Sequence, residues 1–210
     1  MWLSKLWVMA FVISVVLLKG GVSKTTTALA LGEAAALSMP VVIVDMDPMR
    51  SLARWSELAA DAGRPLRSEV VSDSGPGMPG RLHAIAGHAH LVVIDTPGPG
   101  ALDRSREAVG LAERVVMPVP PNLADLDRVH PTVKMADDYG IPARAVLTQV
   151  RGGIEDSAAA AVTLKSWGVP VYDTQLPLTV TVQRAYGKAL TSGPLLRFGM
   201  DLMAEILNET

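Results

Sequence analysis

The residues best equipped for chemistry lie together in Lys19-Gly20-Gly21-Val22-Ser23-Lys24-Thr25-Thr26. Two adjacent glycines between two lysines make a turn whose successive backbone N–H groups form an anion-binding nest. A helix starting near Lys24 turns its positive end toward the same point. Lys24 can neutralise charge on β- and γ-phosphates. The Thr25 hydroxyl can bind Mg2+, a small octahedral ion that takes few protein ligands. The run fails the strict phosphate-loop pattern G-x-x-x-x-G-K-[ST], because Leu18 and Ser23 stand at its two glycine positions. If the second position needs a positive φ, serine strains it by about 1–2 kcal/mol.

Two acidic motifs follow. Val41-Val-Ile-Val-Asp45-Met46-Asp47-Pro48 reads as a strand ending in two acids, and the strand period puts both on one side. One acid can support the lysine or the metal shell, and the other can reach the γ-phosphate. Leu91-Val-Val-Ile-Asp95-Thr96-Pro97-Gly98 is an apolar strand ending in Asp, the form in which the acid holds Mg2+ through a water and the next loop senses the γ-phosphate.

These residues need a strand before each loop and a helix after the first. The strand candidates are residues 10–17, 41–45, 66–71, 91–95, 114–119, 143–150 and 169–175. Between them lie helical stretches at 25–37, 52–62, 123–139 and 157–167, with an amphipathic terminal helix at 195–207. This alternation predicts a single-domain α/β fold over 10–210, with a mostly parallel twisted sheet and helices on both faces. In such a sheet ligands bind at the carboxyl ends of the strands, where Lys19–Thr26, Asp45–Asp47, Asp95 and Pro118 all fall. The Gly- and Pro-rich runs 72–80 and 96–100 read as loops. Residues 1–9 read as an extension. Met1–Leu18 carries only Lys5 as a charge, but no small-residue cleavage pattern follows it, and its apolar end serves better as a buried first strand.

Composition narrows the field. At 210 residues with 49% apolar and 4% aromatic content, the core must rest on Val, Ile, Leu, Ala and Met, which suits a covered parallel sheet. A formal charge of −2 leaves room only for a local basic patch. The chain has no cysteine, which excludes disulfides and thiolate metal sites. His83, His88 and His90 lack an obvious acid or sulfur partner, and a metal reading is set aside.

The lysine-led run K-G-G-x-x-K-T-T, with Asp-x-Asp-Pro and Asp95 behind it, resembles the ParA/MinD family of deviant Walker ATPases. The resemblance extends over about Val12–Leu207. Asp47-Pro48-Met49-Arg50-Ser51-Leu52 with Trp55-Ser56, Met117–Pro121 with Leu123 and Asp125, and Leu176–Leu190 look like the small partition ATPases of the ParF type. It implies ATP and Mg2+ as cofactors. Lys19 would reach across a nucleotide-sandwiched homodimer, Lys24 would hold phosphate, and Asp47 would position the attacking water while Asp45 holds the loop. Thr25 and Asp95 would serve the metal. The adenine site would be built around Thr148, Gln149 and Pro177.

The same resemblance implies slow hydrolysis under the control of a small centromere-binding, ParB- or ParG-like partner. It implies ATP-dependent binding of nonspecific double-stranded DNA in a cytoplasmic, nucleoid-associated setting. Arg144, Arg151, Lys165, Arg184, Lys188 and Arg197 are the candidate DNA-binding residues. The family normally has Gly where this chain has Ser23, which bears on turnover. The alternative is a MinD-like membrane-associated or cargo-positioning switch. The terminal helix carries one base, Arg197, against Asp201 and Glu205, so no stable membrane association is expected from it.

Overall fold

The computed structural model describes residues 10–122, 126–151 and 154–209. Seven parallel strands form one sheet: β1 Phe11–Val15, β2 Val41–Asp45, β3 Glu69–Ser72, β4 Leu91–Asp95, β5 Arg114–Val119, β6 Ala143–Val150 and β7 Val171–Pro177. Their order across the sheet is β3-β2-β4-β1-β5-β6-β7. The described helices are α1 Lys24–Ala35, α2 Ser51–Asp61, α3 Met78–Ala86, α4 Leu102–Gly110, α5 Val129–Asp138, α6 Ile154–Ser166, the short α7 Val180–Gln183 and α8 Pro194–Leu207. The order places β1 at the centre, so the turn after it lies at the middle of the carboxyl edge. Asp95 pairs in register with both Val15 and Asp45, which puts all three strand ends at one level.

The continuous apolar strands are buried on both faces, as a covered parallel sheet requires. On one face Ile13, Val15, Ile43, Val93 and Val116 pack under α1, α2 and α8. On the other Val12, Val44, Ile94, Val115 and Met117 pack under α3 to α6. Helix α1 is buried almost all round because it lies between the sheet and α8. Small residues permit this. A Cβ on Gly199 of α8 would collide with the Ala30 carbonyl oxygen of α1. Gly199→Ala is therefore expected to cost about 2–3 kcal/mol of stability through overpacking, read as a lower urea midpoint by circular dichroism.

Some boundaries differ from the sequence reading for identifiable reasons. β3 starts at Glu69 and not at Leu66, because the N–H groups of Arg67 and Ser68 donate to the buried Glu33 carboxylate of α1 instead of to a strand. β7 starts at Val171, since the Val169 N–H closes the end of α6 on the Leu164 carbonyl. The loop expected at 72–80 ends early: α3 begins at Met78 with Pro79 in its first turn, where the missing N–H is harmless. α4 was not anticipated. α6 begins at Ile154, ahead of the expected Ser157. The extension at 1–9 and the family-like Leu123 and Asp125 lie outside the described residues. No described helix is long and apolar enough to cross a membrane.

Candidate functional site

The loop between β1 and α1 has the expected form. Gly21 and Ser23 both have left-handed backbones, at φ 72° each, so the serine occupies the site that glycine fills without strain. Ser23→Gly should raise stability by about 0.5–1 kcal/mol, the relieved strain less the added chain entropy of glycine. Urea unfolding without nucleotide measures it, and an unchanged midpoint would show that the site carries no strain.

Lys24 opens α1 and is 7% exposed. Its Nζ donates to the Lys19 carbonyl at 2.6 Å, folding the side chain back over the loop. Burial lowers its pKa, while Asp95 and Asp47 oppose that shift. Both acids therefore lie within electrostatic reach of the ammonium. Lys19 is half-buried at the start of the loop.

Asp95 is fully buried at the end of β4, and neither carboxylate oxygen has a hydrogen bond of normal geometry. Burial pushes its pKa up to about 8; the Thr25 hydroxyl and Lys24 oppose this, and Asp45 and Asp47 add to it. An orphaned buried carboxylate beside a threonine hydroxyl is a pair of oxygen donors that suits a small hard cation.

The two acids of the 45–47 motif have different jobs. β2 ends at Asp45, so the strand period does not carry on to Asp47. Asp45 is fully buried. It accepts from the N–H groups of Asp47 (3.1 Å), Leu52 (3.1 Å) and Ala53 (2.9 Å), which caps α2 and holds the intervening turn. Burial is the main cause of its raised pKa. Asp47 is half-buried and accepts only locally, from the Met49 N–H at 2.9 Å. The loop after β4 closes the other side: the Thr96 hydroxyl donates to the Val15 carbonyl at 2.7 Å, and Pro99 packs against Gly20.

A cavity of about 300 Å3 adjoins the loop, within the range of small-molecule sites. Pro120, Pro121, Asn122, Gln149, Arg151 and Leu178 are among its lining residues. Of the three expected base-site residues, only Gln149 lines it. The Thr148 hydroxyl turns instead to the Val22 carbonyl at 3.1 Å. Leu178 takes the place expected of Pro177, which pairs with Val150 in the sheet. Asn122 was missed by the sequence reading. Its position after a strand end was the only signal available.

The six basic residues do not form one patch. Arg144 lies at the opposite, amino-terminal end of β6, stacked 4.7 Å over the Tyr172 ring and paired with Glu209. Arg151 lines the cavity beside the loop. Lys165 ends α6, also away from the loop. Arg184 and Lys188 line a second cavity, of about 330 Å3, and Arg197 is exposed on α8 nearby in the chain. His88 does have an acid partner, Glu69 at 2.8 Å, which sequence spacing does not reveal. Among the described residues no group of three or more His, Asp or Glu is placed to hold a metal.

The comparisons agree with this geometry. Residues 13–192 match the family described as the CobQ/CobB/MinD/ParA nucleotide binding domain. A maintenance of carboxysome distribution protein A from Gloeobacter kilaueensis is 35% identical over 159 residues, covering 74% of this chain and 71% of that protein. A ParA protein from Rhizobium radiobacter is 32% identical over 108 residues, covering 51% and 47%. The fold also superposes on the septum site-determining protein MinD from Pyrococcus horikoshii OT3, complexed with Mg-ADP. The TM-score is 0.76 at 18% identity, over 94% of this chain and 96% of that one. Matched by that family over residues 13–192, the chain belongs to the CobQ/CobB/MinD/ParA nucleotide-binding family and is a ParA/MinD-type ATPase.

Proposed function

We propose that this chain is an ATP-driven positioning switch. It closes a homodimer around ATP, binds nonspecific double-stranded DNA in that state, and releases it on slow hydrolysis. The observation that carries this reading is the juxtaposition of Lys24, folded within its own loop, with the unpartnered carboxylate of Asp95. That arrangement is complete only with a phosphate for the lysine and a cation for the acid. Mg2+, held by Thr25 and Asp95, would neutralise phosphate charge.

The chain's own residues do the rest. The loop amides and Lys24 bind the β- and γ-phosphates. Asp47, held at a turn that Asp45 fixes, orients the attacking water and accepts its proton. Lys19 adds charge from the partner copy. Phosphoryl transfer of this kind needs positioning and electrostatics more than covalent work. DNA contact would fall to Arg184, Lys188 and Arg197, because Arg144 is engaged with Tyr172 and Glu209. The apolar face of α8, including Leu195, Phe198, Leu202 and Ile206, is buried in the core, which argues against a membrane anchor there.

Two cargoes fit this cycle: a replicon held through a small centromere-binding protein, or a protein body. The Gloeobacter kilaueensis relative, named for carboxysome distribution, favours the second, and its match covers more of this chain than the ParA match does. The test is binding to a random duplex with ATP, with ADP and without nucleotide, at two salt concentrations. Tight binding with ATP alone, falling steeply with salt, is expected. Equal binding in all three states would refute the reading.

A further inference from the structure

We propose that Gln149 is a positioning residue of the phosphate loop, which it ties directly to the cavity that takes the base. The proposal rests on the nucleotide reading above and concerns how that site is organised. Gln149 is the penultimate residue of β6, two strands away from β1 in the sheet. Its carboxamide Nε2 donates to the Gly21 carbonyl at 2.5 Å and to Ser23 Oγ at 3.3 Å. The same side chain lines the cavity next to Pro120, Asn122 and Leu178.

The geometry of a peptide explains what these bonds do. In a trans peptide the C=O of one residue and the N–H of the next point in opposite directions. Gln149 fixes the Gly21 carbonyl, so the Val22 N–H faces away from Gln149. Thr148 fixes the Val22 carbonyl at 3.1 Å, so the Ser23 N–H is turned the same way. Consecutive residues of β6 thus hold consecutive carbonyls of the loop and set its amides as a nest before any anion arrives.

This loop has particular need of such support. Ser23 is held at φ 72° and ψ 28°, a conformation in which an L side chain is strained. A glycine there would relax into that shape unaided. The serine needs partners, and its hydroxyl takes one from Gln149. Gln149 is itself at φ 55°, a second non-glycine residue in the left-handed region. Two strained residues joined by a hydrogen bond at a ligand site are over-determined by their surroundings, which is how such strain persists.

The experiment separates this role from simple contact with the base. The probes are ATP and inorganic tripolyphosphate, each with Mg2+, titrated against the full chain by calorimetry. The variants are Gln149→Asn, which tolerates a positive φ but is one methylene too short to reach Gly21, and Gln149→Glu, which replaces the donor with an acceptor. Both should weaken tripolyphosphate and ATP alike, by roughly tenfold. Adding Ser23→Gly to Gln149→Asn should restore most of the tripolyphosphate affinity, because glycine no longer needs the support. Loss confined to ATP would make Gln149 a base contact only and overturn the proposal, as would unchanged affinity for both. Failure of the unaltered chain to bind either probe would refute the nucleotide reading itself.

Discussion

Lys24→Met is expected to weaken ATP binding by roughly 100- to 1,000-fold, which corresponds to two lost charge-assisted hydrogen bonds at about 1.5–2 kcal/mol each. The effect should be specific to the ligand. Lys24 is 7% exposed, and burial already lowers its pKa, so the fold gains little from the charge. Methionine has nearly the same length and no charge to desolvate. What it loses is the bond to the Lys19 carbonyl and the cation beside Asp95 and Asp47. Stability should therefore stay within about 1 kcal/mol of the parent, a typical range for volume-conserving exchanges. Titration with a fluorescent ATP analogue reads the affinity. A dissociation constant within threefold of the parent would mean that Lys24 does not face the phosphates.

Asp95→Asn should act in opposite directions on stability and on function. Asp95 is fully buried, and its pKa is raised from an ordinary 3.8 to about 8. Between those values the folded chain keeps a proton that the unfolded chain has lost. Stability contributed by this group is complete below about pH 4 and is lost as pH rises toward about 8. Asparagine has no such slope. The metal-free variant should be more stable than the parent at pH 7 by about 2 kcal/mol, after allowing for the nearby Lys24. Mg2+ with nucleotide should reverse the order, because a metal ligand must be deprotonated and only the parent has a carboxylate to offer. Thermal unfolding at pH 5 and pH 7, with and without Mg-ATP, tests both halves. Stabilisation of the variant by Mg-ATP equal to that of the parent would remove Asp95 from the metal shell.

The strands at 41–45, 91–95, 114–119 and 143–150 were legible in the sequence to the residue. The first two are buried throughout and read as unbroken Val, Ile and Leu runs up to their Asp, and the other two keep a buried apolar centre at 115–117 and 145–147. β3 was not, because its start depends on Glu33, a residue of α1 more than thirty positions earlier that takes the amides of Arg67 and Ser68. The first turn of α3 was hidden by Pro79, which marks a loop and a helix start equally well. Within the site, the loop pattern raised a positive φ at Ser23, and the apolar run before Asp95 marked that acid as the end of a buried strand. Spacing left the roles of Asp45 and Asp47 open, and the family resemblance implied that Asp45 holds the turn.

Gln149 shows where sequence reading stops. Its expected place in the base site came from the family resemblance. Its bond to Gly21 exists only because the sheet order brings the end of β6 alongside the loop after β1, across β5. The basic residues fail for the same reason. Arg144 and Arg151 are only seven positions apart in sequence but lie at opposite ends of β6, one against Tyr172 and the other, just past the strand, in the cavity. Charge counted along the chain does not say which face of the molecule carries it.

A positioning switch of this kind requires that ATP, and not ADP, bring two copies of this chain together. Sedimentation equilibrium of the full chain with Mg-ATP and with Mg-ADP measures this directly, using Asp47→Ala to slow hydrolysis. Doubling of the 22.2 kDa mass with ATP, and the single mass with ADP, is the predicted result. The same mass in both nucleotides would contradict it.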